Sequence, residues 1–219
     1  TTPEDLLNSS YLKSRAAQIS VDRAIEHGPG APKAGGTVYL TAADASGMMV
    51  SFIQSNYSGF GSGVVVPGTG ISLQNRGAGF TLEPGHPNAV GPSKKPFQTI
   101  IPGFLMKNGK PKMSFGVMGG PMQAQGHVQM VLRTQVWGQD PQMAVDAPRW
   151  RFVEGLKLAC EDVMPAETLK YLAQIGHLIE LELPDNAFGF GGAQLICRLP
   201  GGAYASGSDP RKDGLAAGF

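Results

Sequence analysis

The run Thr37-Val-Tyr-Leu-Thr-Ala-Ala-Asp44, the turn Ala45-Ser-Gly47 and the run Met48-Met-Val-Ser-Phe-Ile-Gln54 decide the fold. Both runs are rich in β-branched, aromatic and other apolar residues, and the small residues between them supply a tight turn, so 37–54 reads as a β-hairpin. Just before it, His27-Gly-Pro-Gly-Ala-Pro-Lys-Ala-Gly-Gly36 has no apolar periodicity and reads as a flexible, accessible linker. A hydroxyl residue, Thr37, thus stands at a strand start behind a segment where chain cleavage meets little steric resistance. If the Gly36–Thr37 bond is cut, Thr37 exposes an α-amine beside its own hydroxyl. With an unperturbed pKa of about 7.7–8.0, that amine can take the proton that Oγ must lose near neutral pH. Taken alone, the pattern fits an ordinary strand threonine far better than a nucleophile.

Working outward, residues 3–19 carry apolar positions at mostly helical spacing and predict a short helix. Residues 70–74, 98–106 and 112–117 read as strands, with Asn108-Gly109 as the tight turn between the last two. Helices are expected over 122–137 and over 168–175 behind Pro165, with Gly138 and Gly176 as their stops. Strands return at 178–183, 193–199 and 203–206. Hairpin, strands, central helices and strands again is an α+β order, with sheets covered by helices rather than a doubly wound parallel sheet.

Composition excludes several classes. The chain has 219 residues, net charge +1, 42% hydrophobic and 16% charged residues, which is ordinary for a globular protein and gives no basic stripe for nucleic acid. No apolar stretch approaches the roughly 20 residues that span a bilayer, so no membrane role is expected. Cys160 and Cys197 lack metal or redox spacing and read as two buried thiols. His27, His86, His127 and His177 are scattered, so neither a metal nor a cofactor is expected. Trp137 and Trp150 read as core or interface packing. Thirty-one glycines and seventeen prolines imply many tight turns, or loops whose backbone approaches a ligand closely: Gly 31, Pro 17.

The segment 37–63 resembles the start of the small subunit of gamma-glutamyltransferases, a family that includes the cephalosporin acylases. In that family an N-terminal Thr opens a strand ending in Asp, followed by a Gly turn and a hydroxyl residue that supports the nucleophile. Asp44, Gly47 and Ser55 match these positions, and Phe60-Gly61 matches the family's Phe-Gly. Met118-Gly119-Gly120-Pro121 falls where the family has the glycine pair of its oxyanion hole, although the flanking serine is Pro121 here; by itself such a pair is far more often a turn, so the assignment leans on the resemblance. Asn88 to Pro96, Asp146-Ala-Pro-Arg149 and Ser208-Asp-Pro-Arg211 match further motifs in the same order, so the resemblance runs from about Leu6 to Phe219. Arg149 and Arg211 are expected to tie loops together by ion pairs rather than to bind substrate.

The resemblance implies the αββα sandwich of N-terminal-nucleophile hydrolases, of which this chain supplies part. It assigns residues 1–36 to the tail of a large subunit and 37–219 to the small catalytic subunit, the remainder of the same precursor being the expected partner. Thr37, Ser55, Gly119 and Gly120 would be the catalytic set, Gly36–Thr37 the cleavage site, and a small-molecule amide of gamma-glutamyl or glutaryl type the substrate. The positions that grip the glutamyl amino and carboxyl groups depart from the family: they read Tyr57, Arg76, Gly79, Gln98 and Thr99, with Asn75 beside Arg76. A buried ammonium is costly without a carboxylate, whereas Arg suits a carboxylate. Either the acyl group lacks an α-amine, or another residue or the missing subunit restores amino recognition. The alternative from another class is a processing-deficient homologue that works by binding.

Overall fold

The computed structural model describes residues 8–18, 37–97, 100–183 and 189–219. The linker 27–36, including Gly36, lies outside these, as do Gln98 and Thr99 and parts of the helix expected over 3–19; within the described part α1 spans Ser9–Ala16, capped by Asn8 accepting from Tyr11 N at 2.9 Å.

The hairpin forms as expected. Strand β1, Thr37–Ala43, pairs antiparallel with β2, Met49–Ser55, in the register Thr37↔Ser55, Leu40↔Phe52 and Ala43↔Met49. Asp44 holds the turn: its Oδ1 accepts from Ser46 N at 2.9 Å, Ser46 Oγ at 2.6 Å and Met48 N at 3.1 Å, and Gly47 takes φ 92°. Those donors, the Ser46 hydroxyl foremost, hold its carboxyl below the usual range.

A four-stranded antiparallel sheet lies under the hairpin in the order β3–β4–β8–β9: Gly103–Lys107, Lys110–Met118, Gly192–Arg198 and Tyr204–Ser208. Asn108 and Gly109 turn β3 into β4 with φ 52° and 73°, the backbone that the dipeptide was expected to supply. Strand alternation divides β4 between two faces. Met113, Phe115 and Val117 join Ala193, Leu195 and Cys197 of β8 in a core closed by Met130, Ala144 and Val145. These last residues belong to α2, Met122–Val131, which runs on through a π turn at Leu132–Val136, and to α3, Pro141–Asp146. Gly126 is where helix meets sheet, since a Cβ there would stand 2.6 Å from Val117 Cγ1.

The other face of β4 meets the hairpin through a polar seam. Ser51 Oγ donates to Gly103 O at 2.8 Å and accepts from the Tyr39 hydroxyl at 2.6 Å; Thr41 Oγ1 and Ser114 Oγ lie 2.6 Å apart, and Ser114 donates to Val50 O at 2.9 Å. The Tyr39 ring lies flat against Gly116, where a Cβ would come within 2.5 Å of it. The chain thus supplies a helix layer, a sheet and a second, two-stranded β layer. A smaller sheet, β5 (Trp150–Glu154), β6 (Lys157–Glu161) and β7 (Leu178–Glu182), packs Leu158, Cys160 and Met164 against Leu169 and Leu172 of α4, Ala166–Gln174.

Some expectations need correction. Residues 70–74 form no strand but a loop with one bridge, Val65↔Ser72, because Gly61, Gly63, Gly68 and Gly70 all take positive φ and turn the chain too often to pair. Of the strand expected over 98–106, residues 98 and 99 lie outside the described residues, 100–102 are not strand, and β3 starts at Gly103. Helix α3 and the β5–β6 hairpin were not read from the sequence at all. Trp137 is exposed, with Arg133 5.7 Å from its ring centroid, and Trp150 is 37% exposed, so neither is core in this chain, which leaves the interface half of that expectation. Cys160 and Cys197 are buried and unoxidised, as read.

Candidate active site

Three elements converge on Thr37. The inward residues of β1 step along β4 in register: Thr41 stands on Ser114 and Tyr39 on Gly116. One further two-residue step places Thr37 over Met118, next to Gly119. Thr37, Met118 and Gly119 line one cleft of ≈ 1400 Å³ that runs along the outer edge of β1, over β8 and β9, and under residues 212–219.

The first partner of Thr37 comes from the hairpin. Ser55, directly opposite in the β1–β2 register, has its Oγ 2.8 Å from Thr37 Oγ1. Ser55 Oγ also accepts from Tyr57 N at 2.9 Å, and with a second lone pair and its own proton it can either accept from or donate to Thr37 Oγ1. This short turn holds Tyr57 at φ 75°, a left-handed backbone that costs a non-glycine residue about 1 kcal/mol or more. The chain then folds back so that Arg76 stacks over the Tyr57 ring at 5.2 Å. Asn75 braces this loop, donating N–H to Asn56 O at 3.2 Å and accepting from Ser58 N at 3.1 Å on its side-chain oxygen. Gly79 lies in the same turn, and a Cβ there would meet Phe97 O and Pro96 Cβ only at 3.8 Å. The backbone therefore has room for a side chain at 79.

The second partner is the β4–α2 connection. Gly119 and Gly120 have φ 136° and 60°, and a Cβ at 119 would stand 2.9 Å from Gly191 Cα. Only glycine fits so close an approach of two backbones. Next to this loop, His127 Nε2 accepts from Val117 N at 3.1 Å, where β3 no longer pairs with β4. Burial pushes His127 down to about 4, so it is a neutral acceptor.

Behind the loop lies an ionic network. Arg149, fully buried, pairs with Asp209 and donates to Phe190 O at 3.0 Å and Gly191 O at 3.4 Å; Asp209 accepts from Ala193 N at 2.7 Å. Arg211 pairs with both Asp209 and Glu161, and Glu161 accepts from Arg149 N at 2.8 Å. Arg149 and Arg211 thus join loops, as expected from the sequence. Their anions, Asp209 and Glu161, went unassigned there, as did Gly191 and Lys212; the Gly-Phe-Gly-Gly run before β8 was the available signal for a close backbone approach.

The whole chain, residues 1–219, matches the family model described as gamma-glutamyltranspeptidase. The chain belongs to the gamma-glutamyltranspeptidase family. It is 38% identical to a glutathione hydrolase-like proenzyme of Bacillus subtilis and 38% identical to the oxamate amidohydrolase proenzyme of Klebsiella pneumoniae, in each case over 99% of this chain and 42% of that protein. The cephalosporin acylase structure from Bacillus halodurans superposes with a TM-score of 0.78 at 48% identity, over all of this chain and 40% of that one. The chain thus spans less than half the length of these relatives. Its α+β fold is part of the αββα sandwich of N-terminal-nucleophile hydrolases, and the helix layer, the four-stranded sheet and the hairpin are its contribution.

Proposed function

We propose that this chain carries the catalytic half of an amidohydrolase or acyltransferase whose nucleophile is Thr37, released by autocleavage of the Gly36–Thr37 bond. Residues 1–36 are then the tail of the large subunit and 37–219 the small one. The observation that carries this reading is the hydroxyl pair Thr37 Oγ1–Ser55 Oγ, 2.8 Å apart and anchored by Tyr57 N–H, set at a strand start that lines one cleft with Met118 and Gly119.

In the precursor, Thr37 Oγ attacks the Gly36 carbonyl, the C–N bond breaks as the acyl group shifts to Oγ and the hydroxyl proton passes to the freed Thr37 amine, and water then hydrolyses the ester to release the Thr37 hydroxyl and the Gly36 carboxylate. In turnover the same oxygen attacks an amide carbonyl while the α-amine takes its proton. The Gly119 and Gly120 amides stabilise the oxyanion. The proton passes to the leaving amine, an acyl ester forms on Thr37, and water or an acceptor amine resolves it. The Ser55 hydroxyl, 2.8 Å from Thr37 Oγ, holds its rotamer.

The substrates are gamma-glutamyl or glutaryl-type amides. Arg76 over Tyr57, and the missing carboxylate at Gly79, favour an acyl group that carries a carboxylate and no α-amine. Oxamate, after which one relative is named, is an amide of that kind. The outer face of the hairpin presents Val38, Leu40, Val50 and Phe52, all exposed, and the remainder of the precursor covers it.

Intact mass and N-terminal sequence of the full-length protein test the first step. A new end beginning Thr-Val-Tyr-Leu is expected in the unsubstituted protein and not in Thr37→Ala; absence of cleavage in both refutes the reading. For the second, kcat/KM is expected to be higher for glutaryl than for gamma-glutamyl anilide, and a strong gamma-glutamyl preference overturns the acyl assignment.

A further inference from the structure

The site has a second flank. β2 lies on the β3 side of the seam, since Ser51 donates to Gly103 O, whereas β1 lies against β4 and β8. Ser55, with Tyr57 and Arg76 behind it, therefore lies on one side of Thr37, and β8 borders it on the other. On that side stands Lys212. Gly192 pairs with Met118 across β4 and β8, so both residues point to the hairpin face. A Cβ at 192 would stand 2.3 Å from Lys212 Cγ and 3.1 Å from Met118 Cε. The glycine thus makes room for the lysine stem in the same row of the sheet over which Thr37 sits. Lys212 lines the same cleft as Thr37 and Gly119.

The position of Lys212 is fixed from behind. Its N–H donates to Asp209 O at 3.1 Å, and Asp209 and Arg211 are locked into the buried ionic network. Partial burial pulls the ammonium below its usual range, with Asp209 opposing and Arg149 and Arg211 adding to the shift. A carboxylate arriving in the cleft favours the charged form.

We propose that Lys212 is the specificity residue of the leaving-group side: it meets a carboxylate borne by the amine that departs from, or accepts, the acyl group on Thr37. This rests on Thr37 being the nucleophile and Arg76 facing the acyl chain, because an amide held at Thr37 with its acyl part on the Arg76 flank turns its nitrogen substituent toward β8. Lys212 then does for the amine what Arg76 does for the acyl chain, and the favoured substrates carry an anion on both sides of the scissile bond.

The test uses the full-length protein with Lys212→Met, which keeps the stem, and Lys212→Arg, which keeps the charge. Two substrates share the glutaryl group: the plain anilide, and the anilide of 4-aminobenzoate. Lys212→Met is expected to lower kcat/KM for the carboxylated anilide by about 10- to 100-fold, the worth of a charge-assisted hydrogen bond, and to leave the plain anilide and the extent of autocleavage unchanged. Lys212→Arg is expected to restore most of the difference. Equal losses on both anilides, no loss on either, or a loss that follows the acyl carboxylate (glutaryl against valeryl anilide) overturns the assignment. Should the unsubstituted protein neither cleave nor turn over, the nucleophile reading is what fails; calorimetric binding of 4-aminobenzoate then decides about Lys212, since binding unaffected by Lys212→Met removes it from any carboxylate site.

Discussion

Replacing Asp209 with Asn tests whether the ionic network behind the glycine loop holds the site together. Asp209 is fully buried and its two oxygens serve four donors: Arg149 Nη2 and Ala193 N on one, Arg211 N at 2.9 Å and Arg211 Nη1 at 3.1 Å on the other. Asparagine keeps the volume but turns an amide NH2 toward one donor pair and removes the charge opposite Arg149. Leaving a buried charge without its partner costs about 3–5 kcal/mol. No solvent discount applies, because both side chains are fully inaccessible. The two cations start from different positions. Burial holds Arg149 below its usual range, whereas for Arg211 the hydrogen bonds and charges of Glu161 and Asp209 outweigh burial and raise it. Both stay charged at neutral pH, so Arg149 cannot escape by losing its proton. At roughly 2–4 °C per kcal/mol for 150–250 residues, the loss is worth about 6–20 °C in a body of this chain's size, so the melting temperature of the larger full-length protein should fall by several degrees and by less than that range's upper end, seen by differential scanning calorimetry. The companion Arg149→Met/Asp209→Leu, which deletes both charges and keeps apolar volume, should recover a large part of the loss. A fall of less than about 1 kcal/mol for Asp209→Asn, or a double variant worse than the single one, refutes the electrostatic account.

Other perturbations probe the surroundings of Thr37. His127 is held near 4 against 6.5 when unfolded, so the unfolded chain binds more protons between these values; its contribution is complete above pH 6.5 and falls by about 3 kcal/mol as pH drops toward 4, and urea midpoints should show this slope in the parent but not in His127→Gln. Gly119→Ala meets Gly191 Cα at 2.9 Å in a backbone region closed to side chains, so cleavage at Gly36 should slow by at least about 100-fold, the worth of one oxyanion donor; normal processing by mass spectrometry contradicts this. Gly79→Asp has room for its side chain and returns a carboxylate to the acyl flank, so the ratio of kcat/KM for gamma-glutamyl over glutaryl anilide should rise by about tenfold or more; an unchanged ratio excludes position 79 from acyl recognition.

How far the sequence disclosed this architecture depended on how local the determining forces are. The 37–54 hairpin, the Asn108-Gly109 turn and the stops at Gly138 and Gly176 follow from turn chemistry and periodicity within a few residues, and the structure has them. The β5–β6 hairpin was hidden because β5 turns its aromatic Trp150 and Phe152 to the exposed face and Arg151 inward, against the usual pattern, while in β6 Leu158, Ala159, Cys160 and Glu161 are all buried and show no alternation. At the proposed site, Thr37, Ser55 and the glycine pair were picked out by the family pattern, and the structure sets Thr37 beside Ser55 and in one cleft with Gly119; the arginines at 149 and 211 were picked out through their Ala-Pro and Asp-Pro contexts. The anions that meet those arginines lie 60 and 50 residues away, and the contact of Lys212 with Gly192 depends on how β8 pairs with β4. Such separations leave no trace in a local pattern.

The hairpin presents a choice that hydrophobicity alone decides wrongly. The residues of β1 facing the four-stranded sheet are Thr37, Tyr39 and Thr41, whereas Val38 and Leu40 face out beside Val50 and Phe52. A slip of one residue would exchange the two faces, bury the more apolar set and turn Thr37 away from Met118 and Gly119. What opposes the slip is the polar seam. Ser114 is fully buried on β4, with its hydroxyl between Thr41 and Val50 O, and the Gly103 carbonyl takes the Ser51 proton; apolar Val38 and Leu40 in place of Tyr39 and Thr41 would strand these groups unpaired. Each stranded group costs about 1–3 kcal/mol, comparable with burying one aliphatic side chain, so several together can outweigh the apolar gain. The seam therefore sets register rather than adding net stability, and register is what brings the Thr37 hydroxyl to its place beside the glycine loop.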